Sequence, residues 1–203
     1  MIVSGAVLII AALSLVLYNY RHESQCKKAM DNVLVRLEKE IPDEPQVNSS
    51  PFDVFDVPEE QEDEVGENTE TEETVELDGR IYLGTLSLPA VDQKFPVIKG
   101  WSYGDMNVAP CQYAGTRAGR DLIICAHNYT GFFDKLGNLN SGDEVIFTDI
   151  NGNDFHYEVS YSELISGWDT NAMFRGAKED WDLTLFTCTW SGYSRVTVRC
   201  VRK

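Results

Sequence analysis

The chain changes its hydropathy pattern three times, and each change predicts a different kind of element. Residues 2–20 form a run of nineteen positions without a charge, rich in Leu, Ile, Val and Ala. That length suffices to cross a bilayer as one helix. Over residues 25–40, Met30, Val33, Leu34 and Leu37 recur at helical spacing among charged residues, which predicts an amphipathic helix. Pro42 ends it. Between residues 42 and 78 apolar runs almost disappear. From Gly79 they return with period two.

The alternation predicts strands over 80–88, 94–99, 111–115, 121–127, 144–148 and 154–165. The run 121–127 is apolar almost throughout and is expected to be central. Asn151-Gly152 is a hairpin turn signal between two of these strands. Residues 169–175 read as a short helix. Two last strands, 183–187 leading into Cys188 and 195–199, flank the polar turn 190–194. Many short strands separated by turn residues predict an all-β fold, a closed barrel.

Composition changes the picture in one place. The net charge is −16, yet residues 41–79 hold fifteen Asp or Glu and no Lys or Arg, which leaves the remainder one negative charge from neutral. A near-neutral barrel offers no nucleic-acid surface. The acidic segment has the composition of a disordered tether, interrupted by Phe52 and Phe55. The expected organisation is a transmembrane anchor over 1–21, an amphipathic helix over 22–41, an acidic disordered linker over 42–78 and a catalytic domain over 79–203. The apolar run ends without the small-x-small pattern of a signal-peptidase site, so an uncleaved anchor is expected. Arg21, Lys27 and Lys28 follow it, which by the positive-inside rule alone would place the C-terminal side in the cytoplasm.

Five cysteines, Cys26, Cys111, Cys125, Cys188 and Cys200, form no CxxC, and with three histidines they offer no zinc-ligand spacing. Cys111, Cys125 and Cys200 read as small buried hydrophobes. Cys188 is different. It stands at the end of one strand, and Arg195 opens the next across a short turn, so pairing brings thiol and guanidinium together. A fixed cation lowers a thiol pKa, and an arginine there can hold an oxyanion.

Thr184-Leu185-Phe186-Thr187-Cys188, followed by Arg195 and preceded by Ala126-His127-Asn128, resembles the TLxTC signature and upstream histidine of the sortase family, the cysteine transpeptidases of Gram-positive surfaces. The resemblance runs from about Gly79 to Val201, roughly 123 of 203 residues. It implies an eight-stranded sortase-type β-barrel; no cofactor is expected, and loop acids such as Asp169, Glu179 and Asp180 are too generic to claim the calcium that some class A members bind. An LPxTG-like sorting signal would be cleaved between Thr and Gly through a thioester, and the acyl group passed to a cell-wall or pilin amine. Cys188 would be the nucleophile, His127 the general acid and base, and Arg195 the oxyanion and substrate stabiliser, with Arg199 in reserve. The backbone N–H of Thr189 is a further oxyanion candidate, and Trp168 and Trp190 are candidate groove walls. The resemblance also places the catalytic domain outside the cell, against the flanking charges.

Within the family, the seven-position spacing from Cys188 to Arg195 and the TCT string look closer to class D or E than to class A, and the N-terminal helix is similar to class B. Pilin-polymerising members carry an aromatic-bearing lid in the region that here contains Phe52 and Phe55. The alternative reading is a surface cysteine hydrolase, a thiol peptidase that releases the same thioester to water.

Overall fold

Every strand expected from period two is present, and the sheet they form closes on itself. The structure, a computed structural model, describes residues 2–42 and 72–203, with side chains of residues 2–4 and 6 set aside. The linker's acidic run and the Phe52–Phe55 lid motif lie outside the described residues. The elements are α1 (Ile2–Glu40), β1 (Val75–Leu77), β2 (Arg80–Leu88), β3 (Gln93–Ile98), α2 (Tyr103–Met106), β4 (Cys111–Ala114), β5 (Leu122–Cys125), β6 (Glu144–Asp149), β7 (Asp154–Ser166), β8 (Leu183–Cys188) and β9 (Ser194–Arg202).

Neighbouring strands run β2-β3-β4-β5-β8-β9-β7-β6, and β6 returns to pair with β2. This is an eight-stranded closed barrel. β1 is a ninth strand, laid on Arg80–Tyr82 along the same edge of β2 that β6 occupies from Gly84 to Ser87. Closure needs a glycine. Gly84 sits at a bulge with φ +144, and a Cβ there would stand 2.0 Å from the Thr148 carbonyl oxygen of β6. Only a residue without a side chain lets the two backbones approach so closely.

β5 and β8 are parallel neighbours, and five of β8's six residues and all four of β5 are buried. That is why β5 reads as a continuous apolar run, while β8 carries its two polar residues, Thr184 and Thr187, buried. Leu122, Ile124, Leu183, Leu185, Val145 and Val198 are fully inaccessible and fill the barrel interior and its covered faces.

Two boundaries differ from expectation. The helix does not divide near residue 21 but continues unbroken from Ile2 to Glu40. Strand structure begins at Val75, inside the stretch 42–78 expected to be disordered, because β1 can complete the exposed edge of β2 there. Among the described residues no helix is long and apolar enough to cross a membrane.

The amphipathic half of α1 packs on the barrel. Cys26, Met30, Val33 and Leu37 are buried, an i, i+4, i+7, i+11 stripe. Glu38 pairs with Lys94 of β3 at 2.7 Å, and Arg36 pairs with Asp78. These pairs are partly exposed and fix direction more than they stabilise. The buried stripe carries the contact.

Candidate active site

Strand register brings the three candidate side chains to one end of the barrel. Along the parallel β5–β8 pair, Cys125 lies beside Phe186. Two residues further on, Cys188 closes β8, and His127 stands two residues beyond the end of β5. Across the antiparallel β8–β9 pair, Cys188 lies directly opposite Arg195. The order in the chain is His, Cys, Arg, while the order across the sheet places the cysteine between the other two.

Local bonds hold these strand ends. The Ala126 N–H donates to the Phe186 carbonyl at 3.2 Å, and the Thr187 hydroxyl donates to the Ala126 carbonyl at 2.8 Å. The second threonine of the TLxTC string thus ties β8 to the residue before His127. In the turn, the Thr189 N–H donates to the Ser194 carbonyl and Gly192 N–H to the Thr189 carbonyl, both at 2.9 Å. The Thr189 N–H is therefore engaged by the hairpin and cannot serve an oxyanion, a correction to the sequence reading.

Arg195 is half-buried, and its Nη1 donates to the carbonyls of Gly192 at 2.9 Å and Ser194 at 3.2 Å. These bonds fold the guanidinium back over the turn beside Gly167, where a Cβ would stand 3.0 Å from Nη1. The reserve candidate, Arg199, is excluded by its surroundings. It is wholly buried, donates to Glu163, Thr184 and the carbonyls of Ala172 and Met173, and lies 4.8 Å from the Trp181 ring. Arg117 lies over the Phe155 ring and Arg120 pairs with Asp182 at 2.7 Å. Arg195 is the arginine that shares a cleft with Cys188.

That cleft has a volume of about 700 Å³ including its open mouth, and Trp101, Tyr113, Met173 and Phe186 are among its walls. Tyr113 lies tilted against Trp101, with centroids 5.5 Å apart, and meets Phe186 edge-on at 5.2 Å. Trp168 and Trp190, the tryptophans singled out from sequence, are 86% and 95% exposed and are neither core nor cleft wall. Of the walls that sequence reasoning missed, Tyr113 lies on β4 and Met173 on the turn Asn171–Phe174, while Trp101 and Tyr103 come from the segment between β3 and β4. Its aromatic residues follow no helical or strand period, and only their clustering after Gly100 could have signalled them.

The five thiols are all unpaired, and four are buried. Burial pushes Cys125 up to about 12 and raises Cys26, Cys111 and Cys200 as well, so these are inert at neutral pH. Cys188 is the one that is partly exposed.

His127 is half-buried, and burial first, then the proximity of His22, holds its pKa below the ordinary value. The unfolded chain therefore accepts a proton that the native site resists. The resulting stability is present above the ordinary histidine pKa of about 6.5 and is lost as pH falls through the depressed native value. We expect thermal melts between pH 8 and 5 to show a larger acid-side loss in the wild type than in His127→Asn. Equal slopes would remove His127 from the account.

A family model described as the sortase domain matches residues 86–203, more than half of the chain. Among solved structures, the chain is similar to sortase A from Corynebacterium diphtheriae, with 23% identity and a TM-score of 0.55, covering 61% of each chain. It is similar to Clostridium perfringens sortase C solved with the C-terminal cell wall sorting motif, at 21% identity, TM-score 0.53, and 60% and 70% coverage of this chain and that one. A Clostridium perfringens sortase D5 transpeptidase gives 20% identity, TM-score 0.52, and 60% and 79% coverage. The chain thus spans less than two thirds of the length of the first of these. Comparison with curated proteins gives no match.

Proposed function

The chain belongs to the sortase family, and we propose that it is a membrane-anchored cysteine transpeptidase acting at the cell surface. The observation that carries this is Cys188 directly opposite Arg195 across β8 and β9, beside an apolar cleft, with His127 two residues beyond the end of the neighbouring strand β5. Cys188, as thiolate, attacks the carbonyl of the scissile bond. Arg195 holds the charge that develops on the carbonyl oxygen. His127, as imidazolium, gives its proton to the departing amine and then accepts one from the incoming amine. A thioester on Cys188 separates the two halves of the reaction. A depressed His127 pKa makes the imidazolium a minority form at neutral pH, so the competent protonation state is scarce.

The substrate in this reading is an LPxTG-like sorting signal cleaved between Thr and Gly, and the acceptor is a peptidoglycan or pilin amine. The sorting motif present in the related clostridial structure supports that class of substrate. The organisation proposed is an anchor over residues 2–20, a packed helix, an acidic connecting segment and the catalytic barrel. In support of the anchor, Val7, Leu8, Ile9, Ile10, Leu13, Leu15, Val16 and Leu17 are all more than half exposed, a large apolar surface around one helix that needs a non-aqueous surrounding. The B-, D- or E-like subclass read from the Cys188–Arg195 spacing belongs to the same proposal.

The test uses the full chain in detergent micelles, LPxTG-like peptides and candidate amines, with products read by mass spectrometry. Amine-capped product establishes the transpeptidase. Hydrolysed product alone, whatever amine is supplied, assigns the chain instead to the cysteine hydrolases.

A further inference from the structure

Residues 127–133 carry His127 away from β5, and α1 lies against this loop. The Tyr129 ring stacks on the His127 imidazole, with centroids 4.4 Å apart and planes 21° from parallel. Tyr129 also meets Phe132 edge-on at 6.1 Å and His22 of α1 edge-on at 6.0 Å. His22 is itself held from both sides along the helix. Tyr18 stacks on it at 6.4 Å, and the Cys26 thiol lies 3.8 Å from its Nδ1. The Lys27 methylenes then occupy the space where a Gly131 side chain would begin. Phe132 N–H donates to the Tyr129 carbonyl at 2.9 Å and Phe133 N–H to the His127 carbonyl at 3.1 Å, which closes the loop on itself.

We propose that Tyr129 is a positioning residue for His127, and that the His22 turn of α1 holds Tyr129 in place, so that the helix leaving the apolar run completes the active site. The inference rests on the reading of His127 as the proton donor. An imidazole just beyond a strand end has a broad terminal torsion. An aromatic face against one side of the ring fixes its plane and keeps water from that side. The Tyr129 hydroxyl has no hydrogen-bond partner among the described residues, so the ring makes the contact. Of the titratable and charged groups, His22 of α1 and Tyr129 of its own loop bear on His127, and Glu23 and Cys26 of α1 bear on Tyr129.

The experiment follows the imidazole directly. The full chain in detergent micelles, labelled with ¹³C at its three histidines, is titrated by NMR and assayed for peptide cleavage in parallel. Tyr129→Ala is expected to move the His127 titration up towards the ordinary range and to lower kcat roughly tenfold, the scale of a lost aromatic contact, with KM little changed. Tyr129→Phe keeps both at wild-type values. His22→Ala raises the His127 titration by a smaller step. Should Tyr129→Ala fail to fold, Tyr129→Leu replaces it and is expected to shift in the same direction. Identical behaviour of the Phe and Ala (or Leu) variants, or an unmoved His127 titration in His22→Ala, overturns the proposal. A His127→Ala chain that cleaves peptide at the wild-type rate refutes the acid–base reading instead, and the NMR titration still decides whether the stack exists.

Discussion

On the proposed mechanism, Cys188→Ala is expected to abolish thioester formation while leaving the barrel folded. The thiol stands at the end of β8, partly exposed, so its removal opens no interior cavity. No other thiol can substitute, because burial keeps Cys26, Cys111, Cys125 and Cys200 protonated. The check is intact mass after incubation with sorting-signal peptide, paired with a thermal melt. An acyl adduct on the alanine variant would remove Cys188 from its role as nucleophile. Arg195→Ala, in the same assay, should slow acylation about 10²–10³-fold, the scale of losing one oxyanion donor, with little change in stability because the side chain is only half-buried.

Arg199→Ala is expected to destabilise the barrel by about 3–5 kcal/mol, because a buried hydroxyl and two buried carbonyls lose their donor at about 1–3 kcal/mol each. The guanidinium, inaccessible to solvent, bonds Glu163 of β7 at 3.0 Å, the Thr184 hydroxyl of β8 at 2.8 Å, and the carbonyls of Met173 and Ala172 at 2.7 and 2.8 Å. Those two carbonyls belong to the short 3-10 turn Asn171–Phe174, whose Met173 lines the cleft. Loss of the arginine therefore loosens a cleft wall as well as the core, and KM should rise alongside the drop in urea midpoint. Arg199→Lys should recover only part of the loss, since an ammonium cannot reproduce a planar fork. Wild-type stability in the alanine variant would contradict the hub described here.

The two arginines also show how far sequence carries the site. Arg195 and Arg199 share parity on β9, so alternation puts both on the face of Cys188 and cannot separate them. The difference is the chain that covers each one. Residues 171–181 close over Arg199 and bring Trp181 against it, and nothing in the local pattern announces where that loop lands. By contrast, the pairing of Cys188 with Arg195 was legible because one short turn sets the register of both strands. β2 matched its expected bounds, 80–88, for the same reason: its period is local and Pro89 stops it. Tertiary context decided the rest. β1 forms in an acidic stretch because β2 has an edge to fill, and Trp101 and Tyr113 become cleft walls through packing that spans three segments. The face of α1 was readable as a stripe, but its seat on β3 was not.

That seat has a consequence for how substrate is found. α1 runs without a break from the apolar segment into the turn that touches Tyr129, and His22 lies about 3 Å along the helix axis beyond Tyr20. With residues 2–20 in a bilayer, the barrel does not swing on a leash but stands bolted to its post, the catalytic rim beside the headgroups. Under the proposed anchoring, encounter would become a search in two dimensions, with the surface density of substrate in place of bulk concentration as the quantity that sets the rate.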